Sequence, residues 1–246
     1  MQIAVLSDIH GNREAFDACL AHARRLGAER YIILGDLVGY GADPAFVVDV
    51  CRRMQEEGAI VLLGNHDESV GGSLAGMNEY ARASIEWTRG RLDVAQKNFL
   101  SALPRTHREE DVLYVHSDAS EPRAWIYVTT SSIAERSILS TDALVTFCGH
   151  VHRPQLYNVS PGRPASLFRP STPTPVPLLA SRRWLAVLGA VGQPRDEDPR
   201  AAYAMFDTGR RTVAYHRVPY DIERAAQKIK NAGLPALLAA RLFIGR

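Results

Sequence analysis

The sequence has little of what marks a disulfide-stabilised secreted protein. Its 246 residues include only three cysteines, Cys19, Cys51 and Cys148, which are too few and too scattered for a disulfide framework or for zinc-finger spacing. Such sparse cysteines are typical of a reduced compartment, so we expect a cytoplasmic protein in which the thiols are inert buried groups.

Long hydrophobic runs are also missing. The longest apolar stretch, from Trp184 to Val191, is interrupted by Gly189 and falls far below the roughly 20 residues of a transmembrane helix. The first apolar run ends at Asp8 without a basic segment before it, which is too short for a signal peptide. We therefore expect no membrane association.

Charge of one sign is not in excess. Lys and Arg total 29 and Asp and Glu total 27, giving a formal net charge of +2. No basic stripe with interleaved aromatic residues is present, so we expect no nucleic-acid partner. The apolar fraction of 46% is enough for a large core, and the chain has no internal repeat or sharp change of composition. These features predict a single domain over 1–246.

Strands and helices alternate in the first part of the chain. The hydrophobic pattern predicts strands at Ile3–Leu6, Tyr31–Leu34 and Ile60–Leu63, and helices at Glu14–Leu26 and 44–57. This order predicts parallel strands joined by right-handed crossovers, which is typical of an α/β fold.

The second half has a different character. A helix is predicted at 131–139, between strands at 112–115 and 143–147. Four later strands joined by turns (156–159, 184–188, 202–206 and 212–217) indicate antiparallel pairing and a second sheet packed on the first, an α+β feature.

Two further segments are predicted to lie outside the sheets. Residues 160–177 contain six prolines and predict an exposed arm or loop, which could cover a cleft or mediate self-association. Residues 221–244 predict two C-terminal helices, whose apolar face either docks on the domain or forms a homo-oligomer interface.

Metal-ligand side chains follow the ends of five predicted strands. They are Asp8, His10, Asp36, Asn65, His116, His150 and His152. Ligands bind at the carboxyl ends of parallel strands, so we expect these groups to converge. Oxygen and imidazole ligands without thiolates suit Mn, Fe, Zn or Ni and do not match a structural zinc site.

The spacing of these residues favours two metal ions. Residues two apart in an extended segment point to the same side, so Asp8 and His10 can reach one ion, as can His150 and His152. Seven ligand-type side chains exceed what one catalytic metal takes from a protein. Two divalent ions about 3.5–4 Å apart, sharing a bridging aspartate, fit the count better and could activate a water for in-line attack at phosphorus.

Five motifs in order resemble those of the calcineurin-like metallophosphoesterases. They are Asp8-x-His10, Gly35-Asp36-x-x-Gly39, Gly64-Asn65-His66-Asp67, His116 and Gly149-His150-x-His152. The segment 192–200 is similar to that of the small bacterial and archaeal phosphodiesterases of this superfamily. The resemblance implies a four-layer double β-sandwich flanked by helices.

The same resemblance implies the role of each motif residue. One ion would be held by Asp8, His10, Asp36 and His152, and the other by Asp36, Asn65, His116 and His150, with Asp36 as the bridge. His66 would lie over the phosphate and protonate the leaving oxygen, which suits an imidazole. A hydroxide bridging the two metals would attack phosphorus.

Three other residues are candidates with an open alternative. Asp67 could orient His66 or act only as a turn or cap residue. Asn12 could contact the phosphate or the backbone, or be a turn former beside Gly11. Arg195 could bind the phosphate, whose geometry a guanidinium matches, or be a solvated loop charge.

The resulting hypothesis is a dinuclear metal-dependent phosphoesterase acting on a small phosphate ester, with phosphodiesters of small or nucleotide-like molecules favoured. The motifs do not separate this activity from that of a phosphomonoesterase, a protein phosphatase or a dinucleoside polyphosphate hydrolase. A non-catalytic scaffold on the same fold is a remote alternative, because the ligand set is complete. His22, His107 and His216 match no motif and are predicted to be structural, and for Trp125 and Tyr127 core packing is favoured over substrate stacking.

Overall fold

Two six-stranded sheets and eight helices form the protein, whose computed structural model describes residues 1–246. The strands are β1 (Gln2–Leu6), β2 (Arg30–Ile33), β3 (Ile60–Val61), β4 (Thr106–Glu109), β5 (Val112–Val115), β6 (Val145–Cys148), β7 (Gln155–Val159), β8 (Ser166–Phe168), β9 (Val176–Pro177), β10 (Arg183–Val187), β11 (Ala201–Asp207) and β12 (Thr212–Val218). The helices are α1 (Arg13–Arg25), α2 (Pro44–Glu56), α3 (Asn65–Gly71), α4 (Glu79–Arg89), α5 (Val94–Ala102), α6 (Ser131–Leu139), α7 (Ile222–Asn231) and α8 (Ala236–Ile244).

The first sheet has the strand order β3-β2-β1-β11-β12-β9. Its strands β1, β2 and β3 pair in parallel, as the alternation of strands and helices predicts. The second sheet has the order β4-β5-β6-β10-β7-β8, with β5, β6 and β10 parallel at its centre. The carboxyl ends of β1, β2, β5 and β6 can therefore all supply loops to one site.

The pairing predicted for the late strands is wrong in two respects. Strand β10 pairs in parallel with β6, so the second sheet is mixed rather than antiparallel. Strands β11 and β12 join the first sheet, because β11 pairs with the edge of β1 that β2 leaves free, with Ile3 opposite Phe206. The residue pattern of a strand gives its period but does not identify its partner.

The proline-rich segment 160–177 is not simply an arm or loop. It contains β8 and β9, short strands at the outer edges of the two sheets, where proline is tolerated. His107 lies in β4. The short helix α3 was also not predicted, since its residues carry no apolar repeat.

The layers are helix, sheet, sheet, helix, which confirms the four-layer double β-sandwich. In β1, Ile3 and Val5 point into the core between the sheets, whereas Ala4 and Leu6 pack under α1 and α2. Helix α6 covers the far face of the second sheet. This alternation follows from the two-residue period of a strand.

The C-terminal helices dock on the domain and also leave apolar side chains exposed. Leu238 and Leu242 of α8 are buried in a cluster with α7, while Leu237, Phe243 and Ile244 are exposed. Homo-oligomer formation through this exposed face stays a prediction. No helix has the length and apolarity needed to cross a membrane.

Truncation of a side chain between the sheets is expected to destabilise both sheets together. Phe206 of β11 is 1% exposed and contacts Phe147 of β6, with ring centroids 5.2 Å apart. Phe206→Ala should lower the free energy of unfolding by about 3–5 kcal/mol in urea titration. Leu26→Ala, at a 45% exposed position, is the control and should change it by less than about 0.5 kcal/mol. A second, separate unfolding transition would contradict the predicted single domain over 1–246.

Candidate metal centre

The predicted ligands lie together at one end of the two sheets. Asp8 and His10 follow β1, and Asp36 follows β2. His116 follows β5, and the loop after β6 carries the remaining two histidines of the motif set. Asn65 begins α3, the element that follows β3. These five strand-end segments are far apart in sequence, and the parallel strands bring them to a common edge.

The carboxylates and imidazoles form two groups that could each hold a metal ion. The first group contains Asp8, His10, Asp36 and His152, and the second contains Asp36, His116 and His150. Within each group the candidate ligand atoms lie within 4.8 Å of one another, and every member is buried. Asp36 belongs to both groups, which is the arrangement that a bridged pair of ions requires.

Backbone carbonyls fix the tautomer of each histidine in these groups. The bonds are His10 Nδ1 to Val38 O (3.0 Å), His116 Nδ1 to Leu34 O (3.0 Å), His150 Nε2 to Trp125 O (2.9 Å) and His152 Nδ1 to Gln193 O (2.6 Å). A carbonyl oxygen only accepts, so the ring nitrogen facing it must carry the proton. The other nitrogen of each neutral ring then directs a lone pair into the centre, as in a metal-ligating histidine.

The nitrogens of these rings that face the centre lie close to one another and to the Asp36 carboxylate. His10 Nε2 is 3.2 Å from His152 Nε2, and His116 Nε2 is 3.2 Å from His150 Nδ1. Asp36 Oδ2 lies 3.4 Å from His116 Nε2 and 3.6 Å from His10 Nε2. Unprotonated nitrogens and carboxylate oxygens at such distances repel, so this donor set fits divalent ions.

Two further oxygens support the same conclusion. The side-chain oxygens Asn65 Oδ1 and Asp8 Oδ1 are buried and have no hydrogen-bond partner. Buried polar atoms without partners are rare in proteins, because each costs the free energy of its lost hydration. Both atoms belong to predicted ligands, and metal coordination would satisfy them.

The backbone of this region is unusual as well. Five of the ligand residues have a positive φ: Asp8 (56°), His10 (51°), Asp36 (54°), His150 (66°) and His152 (61°). Left-handed backbone at residues other than glycine is uncommon and strained, and it clusters at functional sites. Two positions near the ligands must be glycine because other side chains come too close to their backbone. A Cβ on Gly64 would collide with the Asp36 carboxylate, and a Cβ on Gly149 would collide with Ser7 and Asp8.

Burial sets the protonation of the ligands. It lowers the pKa of His10 well below its usual value and the pKa of His150 to about 3, so both rings are in the neutral form that binds metals. Burial opposes ionisation of Asp36, but its contacts with His116 and the other imidazoles outweigh burial and hold the pKa of Asp36 well below the usual value. The shared carboxylate is therefore ionised. Burial also opposes protonation of His116, but Asp36 outweighs it and raises the pKa of His116 to about 9. His116 must therefore release a proton when it binds a metal.

His66 lies beside the two groups without belonging to either. Its backbone N–H donates to Asp36 Oδ1 at 2.8 Å, while Nδ1 of the ring is buried and has no partner. The imidazole packs against His10 and Tyr40, with ring centroids 4.8 and 4.6 Å away. Burial lowers the pKa of His66 to about 4. Tyr40 is not among the residues that the sequence identifies as part of the site. Its position directly after Gly39 of the second motif is the one sequence feature that could have pointed to it.

The side chain of Asp67 makes no hydrogen bond to His66, and its contacts match the alternative role of a turn or cap residue. Its carboxylate accepts hydrogen bonds from the backbone N–H groups of Leu37, Val38 and Gly64, at 2.9–3.2 Å. Burial, with Asp36 nearby, raises its pKa to about 7. Asp67 instead fixes the loop after Asp36, the one that supplies the carbonyl of Val38.

The side chain of Asn12 is occupied by structural contacts. Its Oδ1 caps α1 by accepting from the backbone N–H of Ala15, and its Nδ2 donates to Gly192 O at 2.9 Å. These bonds tie the loop after β1 to the loop after β10. The phosphate contact predicted for Asn12 gains no support from them.

Arg195 lies at the edge of the centre. Its guanidinium donates to Gln193 Oε1 at 3.0 Å and is 5.7 Å from the centroid of the Tyr40 ring. Its Nε is buried and has no partner. Tyr40 also contacts His66, so the Tyr40 ring lies between the Arg195 guanidinium and the His66 imidazole.

The three histidines outside the motifs lie away from both groups. His22 of α1 is hydrogen-bonded through Nδ1 to the Tyr203 hydroxyl at 2.7 Å. His216 of β12 stacks on the same tyrosine. His107 contacts Glu109 within β4. None of them is near a candidate ligand group.

Metal content should follow the two ligand groups. Two equivalents of Mn²⁺ are expected for the wild-type protein by elemental analysis after dialysis. Asn65→Ala and His10→Ala should each lose about one equivalent, and Asp36→Asn should lose both. His22→Ala, a histidine outside the groups, is the matched control and should keep two. Equal loss in the control and the ligand variants would contradict the assignment.

Comparison with known proteins places this centre in a family. Residues 1–211 match the family model of the calcineurin-like phosphoesterase superfamily domain. An uncharacterized protein of Methanocaldococcus jannaschii is 34% identical over 250 residues, which cover 99% of this chain and 98% of that protein.

Solved structures agree with the family match. A metallophosphoesterase from Sphaerobacter thermophilus shares 34% identity and superposes with a TM-score of 0.88, each chain being fully covered. A hypothetical protein from Pyrococcus horikoshii shares the fold, with a TM-score of 0.79 at 20% identity over 100% of this chain and 98% of that one. The chain therefore belongs to the calcineurin-like phosphoesterase superfamily.

Proposed function

We propose that this protein is a dinuclear metal-dependent phosphoesterase that hydrolyses phosphodiesters of small or nucleotide-like molecules. The observation that carries the proposal is the sharing of the buried Asp36 carboxylate by two convergent ligand groups. A pair of bound divalent ions in such a centre activates a water as nucleophile and stabilises the charge that develops on the phosphoryl oxygens. Manganese, iron, zinc and nickel all suit this mixture of oxygen and imidazole ligands.

His66 is the residue we assign to the leaving group. Its Nδ1 is buried against Gly39, so the opposite ring nitrogen, Nε2, is the one that could hold or deliver a proton at an ester oxygen. The negative charge of a bound phosphate ester would raise the low pKa of this ring and favour its protonated form. The ring position is fixed by Tyr40 on one side and by Gly39, where a Cβ would collide with Nδ1. Asp67 contributes indirectly, by holding the loop that carries these two residues.

Arg195 is the cationic side chain that supports a substrate contact at this site. A guanidinium matches the geometry of phosphate oxygens, and Nη1 of Arg195 makes no hydrogen bond within the protein, since both of its bonds come from Nη2. The preference for a diester is proposed from the resemblance of the segment 192–200 to that of the small phosphodiesterases of the superfamily.

We also propose a cytoplasmic location and a homo-oligomeric assembly. The three cysteines are free and buried, which is consistent with a reduced cytoplasm. The exposed Leu237, Phe243 and Ile244 of α8 support a homo-oligomer contact.

A substrate panel tests the proposed reaction. With Mn²⁺ present, the protein should hydrolyse bis(4-nitrophenyl) phosphate with a kcat/KM at least about tenfold above that for 4-nitrophenyl phosphate. Asp36→Asn is the inactive control, because it removes the shared ligand. Faster cleavage of the monoester, of a phosphopeptide or of a dinucleoside polyphosphate would contradict the diester preference. No turnover of any ester with any of the four metals would contradict catalysis.

Replacement of His66 should slow the reaction without removing the metals. His66→Gln is expected to lower kcat by about 10²–10⁴-fold, the contribution of a positioned proton donor. Metal content, measured on the same sample, should stay at the wild-type value because His66 is outside both ligand groups. The loss should be smaller for esters with acidic leaving groups such as 4-nitrophenol, which need less protonation. An equal loss for acidic and alkyl leaving groups would contradict the proton-transfer role.

A further inference from the structure

A cavity of about 540 Å³ opens beside the second ligand group. Asn65 and His150 form its inner wall, so it is continuous with the candidate metal centre. The outer walls come from α3 with the segment after it, and from the loop between β5 and α6. Met77, Trp125 and Tyr127 supply the large apolar surface of these walls.

The aromatic side of the cavity is rigidly held. Tyr127 stacks on the His150 ring, with centroids 3.9 Å apart and an angle of 20° between the planes, yet the tyrosine is 48% exposed. The Trp125 indole N–H donates to Glu68 Oε2 at 2.9 Å, and its carbonyl accepts from His150 Nε2. Tyr127 is therefore not a core residue, which differs from the packing role favoured by the sequence, and its ring is available to a ligand.

The wall of the cavity carries little charge. No lysine or arginine is among the residues that line it. The one charged side chain, Glu68, is paired with Arg105 and accepts from Trp125. The remaining polar groups are the neutral side chains of Asn65, Ser69 and Ser73 and the imidazole of His150. A second phosphate or a carboxylate entering here would meet a carboxylate and no free cation.

We infer that this cavity holds one ester substituent of the substrate and selects a planar, uncharged ring, such as a nucleobase or a simple aryl group, that packs against Tyr127 and Met77. The inference rests on the proposed phosphoesterase function and narrows its substrate class. Tyr127 and Met77 are specificity-determining residues, because they touch the substituent and not the reacting phosphorus. Aromatic stacking is tolerant of ring identity, which fits a site with few directional polar groups.

Titration calorimetry with phosphonates tests this inference without requiring turnover. Methyl-, cyclohexyl- and phenylphosphonate share the metal-binding group, and their P–C bond cannot be hydrolysed as an ester. Phenylphosphonate should bind the Mn²⁺-loaded protein about tenfold more tightly than methylphosphonate, with cyclohexylphosphonate in between. 4-Carboxyphenylphosphonate should lose most of this gain, because its carboxylate approaches Glu68. An adenine-bearing alkylphosphonate compared with phenylphosphonate distinguishes a nucleotide substituent from a simple aryl group.

Variants of residues that line the cavity test which side chains cause the tighter binding of phenylphosphonate. Tyr127→Ala should reduce the ratio of phenyl to methyl affinity about five- to tenfold, whereas Tyr127→Phe, which keeps the stacking ring, should preserve it. Met77→Ala, which does not contact a ligand histidine, should reduce the ratio two- to fivefold. Metal content is measured for each variant, so that weaker binding caused by a lost metal is distinguished from weaker binding caused by the lost side-chain contact.

The two possible failures are distinguishable. Equal affinities for methyl- and phenylphosphonate in a protein that cleaves diesters would overturn the cavity assignment and leave the proposed function in place. If phenylphosphonate binds more tightly than methylphosphonate and this difference requires Tyr127, but the protein cleaves no ester, the proposed function would be overturned and the assignment of the cavity would stand. A full gain with 4-carboxyphenylphosphonate would overturn the selection of uncharged groups.

Discussion

The buried carboxylate of Asp36 is the constraint on which the rest of this site depends. It is 1% exposed, and an ionised group so far from water needs opposite charge or donors around it. The protein supplies one backbone N–H, from His66, and leaves the second oxygen facing His10 and His116. Backbone carbonyls orient both imidazoles so that, in the neutral form that binds a metal, a lone pair faces the carboxylate. Bound cations, or a proton on His116, would balance the charge of the carboxylate.

The backbone around this carboxylate is strained as well. Asp8, His10, Asp36, His150 and His152 all adopt a left-handed φ, a conformation that residues other than glycine rarely adopt. The sheets behind these loops form a continuous core, whose stability can maintain such turns. Divalent ions bound to the same five residues would add ligand bonds that offset this strain, so metal binding and the conformation of the loops are coupled.

The sequence identifies the carboxylates and imidazoles that converge because each one is local to a strand end. A short apolar run followed by Asp, Asn or His is readable from adjacent residues, and the family resemblance divides these residues into two sets around Asp36. The contacts that fix these ligands are not local. The carbonyls of Trp125 and Gln193 lie 25 and 41 residues from the histidines they orient. The backbone contacts of Asp67 and the exposed stacking of Tyr127 likewise arise only from tertiary packing. For the same reason the strands were located from their period, whereas the partners of β10, β11 and β12 were not.

The most direct test of this account is the position of the metal ions themselves. Anomalous diffraction from crystals grown with Mn²⁺ should show two peaks about 3.5–4 Å apart, with Asp36 bonded to both. One ion should be completed by Asp8, His10 and His152, and the other by Asn65, His116 and His150. A single peak, or two peaks that do not share Asp36, would contradict the dinuclear centre.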